Sequence, residues 1–284
     1  MNSKTLLAHA QKQYKPSETF ALFSGGHDSL CATHLSMSAG LADAVVHINT
    51  GIGVQATRDF VHKVCEQFDW PLIELFAKED CGNDYEAMVM KQGFPGPSLH
   101  SLMYRNLKER CLEHLERQHR KYTSKPRRRI PLAFISGGRK EESTRRMGTV
   151  KPIQFQRSRV WVAVCHDWTP QTQEDYMKKH DLPKNPVKLK MCMSGECLCG
   201  AFAHKGELNE WTYFYPDDPG IKKLMRIREA VLQKFPWDWD DDGPPKQWVK
   251  EQNGQCTLFD HGPDVDQMLC TRCQKDEEVY QDHK

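Results

Sequence analysis

The sequence predicts an α/β protein: a doubly wound, mostly parallel sheet with a small Cys-rich C-terminal extension. Three observations carry that expectation. Short β-branched or aromatic runs alternate with stretches of helical periodicity as far as about Pro183. The first run is followed by a Gly pair and then by an amphipathic stretch, the order of strand, tight turn and helix. Beyond Pro183 the alternation gives way to Pro, Gly and Cys, and six of the eleven Cys fall in the C-terminal third.

Residues 20–23 read as a short buried strand, and 29–37 as the helix that follows it. Residues 43–48 form a second strand. Between 57 and 68, Phe60, Val61, Val64 and Phe68 recur at helical spacing. Residues 71–76 are a third strand. The stretch 99–118 is helical, with Leu102, Leu107, Cys111 and Leu115 roughly on one face. Residues 130–135 and 160–164 are further strands, and 170–180 a helix with Pro170 in its first turn. The domain boundary is placed at 185. Residues 1–185 are the α/β domain, and 186–284 a Cys-rich region of loops and helices.

With 284 residues the chain can bury a sizeable core. No stretch approaches the roughly 18 apolar residues of a spanning helix, and no signal-peptide run opens the chain. The expectation is a soluble, cytoplasmic protein with no membrane partner. Lys+Arg total 40 against 38 Asp+Glu, a net charge of +2 that hides a segregation. Residues 117–159 hold 14 Lys/Arg against two acids, whereas residues 237–284 hold 12 acids against five bases. A basic middle suits an anionic partner such as DNA or RNA, or simply a solvated surface.

The most informative segment is the first strand-to-helix turn, Ser24-Gly25-Gly26-His27-Asp28-Ser29. A Gly-rich loop opening a helix presents backbone N–H groups where the helix dipole favours an anion, here a nucleotide phosphate. Ser24 and Ser29 add hydroxyls, and Asp28 can cap the helix or hold a metal ion. The loop fits neither the Walker pattern nor the GxGxxG fingerprint.

These residues resemble the pyrophosphate-binding loop of the ATP pyrophosphatase (PP-loop) superfamily, and specifically its phosphoadenosine phosphosulfate reductase-like branch. The resemblance runs in order through Asn49-Thr50-Gly51, Leu107-Lys108, the segment 136–146, His166-Asp167-Trp168-Thr169, Leu182-Pro-Lys-Asn-Pro186 and Ser194-Gly195. Two departures stand out: His27 where many relatives carry Lys, and Asn49 in place of Asp.

The resemblance implies ATP and Mg2+ as nucleotide and cofactor, with ATP cleaved between its α and β phosphates. AMP is then joined to an oxygen, which sulfur or nitrogen displaces. It implies Ser24 to Ser29, Asn49, Thr50, Gly51, Ser136, Gly137, Gly138, Arg139, Glu142 and Arg146 as nucleotide-binding residues. Asp28, Lys108, Arg139 and Arg145 are the catalytic candidates, since guanidinium matches phosphate bidentately. A structural, exposed basic helix is the plain alternative for the arginine run.

Cys192, Cys197 and Cys199, with Cys270 and Cys273 in the tail, have the short spacings of a metal site. The ligand set is three from the first cluster and one from the tail, or Cys197, Cys199, Cys270 and Cys273. Thiolates suit zinc or an iron–sulfur cluster, and the resemblance favours [4Fe–4S]. The chain lacks the Cys-Gly-Leu-His tail of the reductases. The expected function is therefore sulfur transfer to an adenylated oxygen, as in DNA phosphorothioation or tRNA thiolation, with a cysteine desulfurase or other protein as sulfur donor. A sulfonucleotide reductase or sulfate adenylyltransferase-like enzyme, and a non-catalytic nucleotide- or nucleic-acid-binding protein, are the alternatives.

Overall fold

A computed structural model describes residues 3–142 and 151–245. Its strands are β1 (Thr19–Leu22), β2 (Ala44–Asn49), β3 (Leu72–Phe76), β4 (Lys121–Tyr122), β5 (Arg129–Ile130), β6 (Leu132–Ser136), β7 (Ile153–Gln156) and β8 (Arg159–Ala163). Six of them form one sheet in the order β3-β2-β1-β6-β8-β7. All neighbours are parallel except the edge strand β7, which runs antiparallel to β8. The chain builds outward from β1 through β2 to β3, then returns to add β6 and β8 on the other side. The winding therefore reverses between β1 and β6, where open α/β sheets hold their ligands.

The helices are α1 (Ser3–Tyr14), α2 (His27–Met37), α3 (Gln55–Gln67), α4 (Tyr85–Gln92), α5 (His100–Tyr104), α6 (Arg110–Gln118), α7 (Pro170–Lys179), α8 (Pro186–Met191), α9 (Glu207–Phe214) and α10 (Pro219–Leu232). Strand residues alternate between two cores, one on each face of the sheet. Phe20, Leu22, Val46 and Phe134 enter one, and Phe23, Val45, Ile135 and Val160 enter the other. Central parallel strands are covered on both sides, so β1, β6 and β8 are buried throughout.

The strands expected from sequence lie within one or two residues of those observed. The structure adds α1, α4, the edge strand β7 and a β4–β5 hairpin. A π turn (Arg105–Glu109) interrupts the expected long helix between α5 and α6 and carries Lys108. Residues beyond Pro183 are more regular than expected. α10 buries Ile221, Leu224, Ile227 and Val231 along one stripe. Val187, Leu198 and Trp211 share the core of Phe20 and Val46, so that core runs on across position 185.

The aromatic, acidic stretch near residue 240 is an anchor. The Trp237 indole N–H donates to the Phe94 carbonyl at 2.9 Å, and its ring lies so close to Gly93 that a Cβ there would meet it at 2.1 Å. Trp239 donates to the Leu198 carbonyl at 2.9 Å. Asp238 accepts from Arg228, and Asp241 pairs with Lys205. Trp248 lies outside the described residues.

Parallel strands give the sheet two poles. β5 feeds β6 directly, so the exposed basic hairpin stands at the N-terminal pole. Ser136, at the other end of β6, leads into Gly137, Gly138 and Arg139 at the C-terminal pole. Five strand residues separate the two by about 16 Å. The basic middle of the sequence is thus divided between opposite ends of the molecule.

Candidate active site

The loop between β1 and α2 is shaped by glycine. Gly25 has φ +80, and a Cβ there would meet Thr57 Cγ2 at 2.6 Å. Gly26 is the N-cap of α2 and gives no side-chain cap, so first-turn N–H groups of the helix stay available to an anion. Ser29 folds back on the loop, its Oγ donating to the Gly26 carbonyl at 2.9 Å and lying 3.1 Å from Ser24 Oγ. Facing this turn across the winding reversal is Gly137, where a Cβ would lie 2.4 Å from the Asp28 backbone carbonyl. Only glycine lets the two loops approach so closely.

A charged link spans that approach. Arg139 Nε donates to Asp28 Oδ1 at 2.6 Å, with both side chains largely buried, and Gln173 of α7 donates to the same oxygen. The expectation that Arg139 is a free phosphate cation is refined: its guanidinium ties the post-β6 loop to α2. Magnesium takes oxygen ligands, and the Asp28 carboxylate is of that type. The fit is partial, because a metal ion would share these oxygens with Arg139 and Gln173.

His27 lies half-buried at the start of α2. Burial first, then Lys188 and Lys184, push its pKa down to about 4, so the imidazole is neutral at pH 7. Its Nε2 is buried with no hydrogen-bond partner among the described residues, and so is Ser136 Oγ at the end of β6. Two orphaned polar groups flank the reversal point, the condition a bound polar ligand relieves. Positive charge beside His27 comes from Lys188 and Lys184.

Those lysines arrive on a tether. Asn185 Nδ2 donates to the Gly25 carbonyl at 3.0 Å and to Thr57 Oγ1 at 3.2 Å, while its Oδ1 caps α8 at Val187 N. Thr57 in turn donates to the Ser194 carbonyl. The segment 183–196 therefore clamps the loops after β1 and β2. Sequence reasoning missed Lys188 and Gln173 as site residues; both look like ordinary solvated positions on polar helices.

Asn49 and Thr50 serve a neighbouring pocket. Asn49 donates to Glu74 at 3.1 Å and accepts from the Gly51 N–H at 2.9 Å, and Thr50 Oγ1 donates to the Glu196 carbonyl at 3.3 Å. Gly51, with φ +72, offers its carbonyl to Lys223 at 2.8 Å. A pocket of about 180 Å³ opens here, lined by His47, Asn49, Gly51, Thr57 and Glu196 among others. It adjoins the glycine loop through Thr57, which lines it and packs on Gly25.

The Lys108 ammonium is buried in a 2.5 Å ion pair with Glu196, which lines this pocket. Gly138 and the short turn Lys140–Glu142 follow β6. Arg145, Arg146, Cys270 and Cys273 lie outside the described residues. His166 pairs with Asp167 at 2.7 Å, and Trp168 donates to Ser3 while packing on Tyr176, so Trp168 links α1 and α7.

The sequence from 18 to 194 matches the family model described as the phosphoadenosine phosphosulfate reductase domain. That stretch is more than half of the chain, and it includes both glycine loops and Asn185.

The chain belongs to the phosphoadenosine phosphosulfate reductase domain family.

No curated protein matches it by sequence. Among solved structures it is similar to the phosphoadenylyl-sulfate reductase of Candida auris in a phosphate complex, at 15% identity and TM-score 0.49, covering 68% of this chain and 86% of that one. It is similar to NMN synthetase of Francisella tularensis at 16% identity and TM-score 0.49, covering 84% and 94%. The FMN adenylyltransferase of Candida glabrata, with FAD and inorganic pyrophosphate, follows at 12% identity and TM-score 0.39, covering 66% and 59%. These are distant likenesses, and membership rests on the family-model match.

The family match ends at Ser194, just before two of the cysteines singled out above. Among the described residues no three His, Cys, Asp or Glu side chains converge as a metal set. The expected three-thiol cluster is therefore not assembled. Cys192 ends α8 in a left-handed conformation and is exposed. Cys199 is buried, and Cys197 is hydrogen-bonded to it. That bond and burial hold the Cys197 thiol well above its ordinary pKa.

Proposed function

We propose that the protein is an AMP-forming ATP pyrophosphatase, which joins AMP to an acceptor oxygen, releases pyrophosphate and so prepares that oxygen for displacement by sulfur. The observation that carries this reading is the uncapped glycine turn of α2 facing Gly137 at the winding reversal, with Lys184 and Lys188 beside it. ATP phosphates lie over the first-turn N–H groups, and the nucleoside extends toward the pocket lined by Asn49 and Gly51.

As the bond between the α and β phosphates breaks, negative charge gathers on the departing pyrophosphate. Fixed N–H donors and two ammonium groups lower the energy of that state without reorganising. The neutral His27 offers a hydrogen bond rather than a charge. The Asp28–Arg139 link holds the two glycine loops at their working separation. Asp28 would hold magnesium, which when bound would supply further neutralisation of phosphate charge. The sulfur comes from a separate donor, a cysteine desulfurase or a comparable protein.

The test is exchange of labelled pyrophosphate into ATP, followed by AMP release in the presence of magnesium and acceptor. Exchange is the expected outcome. Hydrolysis to ADP and phosphate, or thioredoxin-dependent sulfite release from phosphoadenosine phosphosulfate, overturns the proposal.

A further inference from the structure

An adenylated oxygen must reach the glycine loop, so its carrier must lie on the C-terminal pole of the sheet. The exposed hairpin at residues 121–130 fails that requirement, because the length of β6 stands between it and Gly137. Its aromatic residue is also already engaged: the Arg127 guanidinium covers the Tyr122 ring at 4.7 Å.

The C-terminal pole carries a different surface. α8 leaves the loop at Asn185, buries Val187 and Met191, and presents Lys188, Leu189 and Lys190 outward. Lys190 Nζ sits over the Tyr215 ring at 5.6 Å, and the Tyr215 hydroxyl contacts the Pro186 carbonyl. Tyr215 joins directly to Phe214 and Tyr213, whose rings are 5.1 Å apart, edge to face. Tyr213 is 79% exposed and Phe214 42%, a large apolar area left in water beside lysines that make no ion pair with described residues. Of the neighbouring acids, Asp217 is neutralised by Lys222 at 2.8 Å, and Glu210 is exposed one turn before Tyr213 and Phe214.

Exposed rings interleaved with unpaired ammonium groups are what single-stranded nucleic acid recognises: bases stack on the rings while phosphates meet the cations. Duplex bases are already stacked and gain nothing from Tyr213. We infer that the acceptor is single-stranded nucleic acid, tracking along Lys184, Lys188 and Lys190 with unpaired bases on Tyr213 and Phe214. This rests on the proposed ATP pyrophosphatase reading and names the acceptor and its path.

Fluorescence anisotropy of the full-length protein with labelled oligo(dT), oligo(U) and a DNA duplex tests it. Either single strand is expected to bind more tightly than the duplex. The double variant Tyr213→Ser/Phe214→Ser should weaken that binding about tenfold. Lys190→Gln should reduce the salt dependence by roughly one counterion. Both variants should leave ATP affinity and the melting temperature unchanged, which also shows that they fold. The hairpin variant Arg127→Gln/Arg128→Gln should bind like the parent.

Absence of single-strand binding, unaltered binding by the double variant, or loss confined to the hairpin variant overturns the inference. In each of those cases AMP-forming cleavage of ATP with acceptors of other classes still reports on the proposed activity. Strand binding without exchange overturns the activity instead.

Discussion

The two poles of the sheet are both rich in cations, and they use them in opposite ways. At the N-terminal pole Arg159 is almost fully buried, donating to Glu109 at 2.6 Å and to Glu116 at 3.1 Å, with Phe134 beneath it. Arg157 reaches Glu113 and Glu109, and Arg129 reaches Glu116. These charges are spent on one another and hold α6 against β8. At the C-terminal pole Lys184 and Lys188 have no carboxylate within ion-pair distance among the described residues, and they bias His27 instead. Neutralised charge makes structure, and charge left in need of a counterion makes a site.

The sharpest contrast comes from replacing one cation at each pole. Arg159→Met should cost about 3–5 kcal/mol of stability, because Glu109 and Glu116 lose their buried partner, yet leave ATP affinity of the folded protein unchanged. Urea unfolding beside calorimetric ATP titration checks both halves. A loss of affinity there would dissolve the distinction between the poles.

Gly137→Ala comes next. Its added Cβ lies 2.4 Å from the Asp28 backbone, which no side-chain motion relieves. ATP affinity is expected to fall roughly 100-fold, about 2.7 kcal/mol, with the melting transition retained; calorimetry measures it.

Lys188→Ala removes one unpaired ammonium and should weaken ATP binding about tenfold, near 1.4 kcal/mol. Its melting temperature should hold within the scatter typical of surface substitutions. An unchanged affinity would assign Lys188 to solvent rather than to phosphate.

The most gradual effect is a pH dependence. His27 has its folded-state pKa lowered to about 4 from 6.5, so below 6.5 the unfolded chain takes up a proton that the folded one refuses. Stability therefore falls as pH drops from 6.5 towards 4, and it is regained on the way up. His27→Asn should flatten that slope by at most about 1.4 kcal/mol per pH unit. Thermal melts across this range, parent against variant, measure it.

Much of the fold was legible because each central strand is a short apolar run closed by turn residues. The edge strand was not: Ile153-Gln-Phe-Gln156 is half-buried with alternating polar residues, and it looks like a loop between charged stretches. α10 was legible in its apolar spacing, yet the lysines and arginines between Ile221, Leu224 and Ile227 hid it beside the Pro- and Cys-rich segment. In the candidate site, the glycine turns carried their own signal, because only a missing side chain permits those approaches. The Asp28–Arg139 link joins residues 111 positions apart, and nothing local announces it. Cysteine spacing says less for a related reason: among the described residues Cys197 and Cys199 meet, whereas Cys192 stands exposed at the left-handed end of α8.

The Asn185 clamp also has a consequence in time. β1 and its glycine turn are made early in synthesis, whereas the amide that fastens Gly25 to Thr57 arrives some 160 residues later. A nascent chain ending near residue 180 already holds the whole sheet. It still lacks Asn185, the Ser194 and Glu196 carbonyls, and both lysines. At the ribosome the fold can precede the site, so a half-made chain is expected to be compact and inert, acquiring its nucleotide loop only as the last third docks.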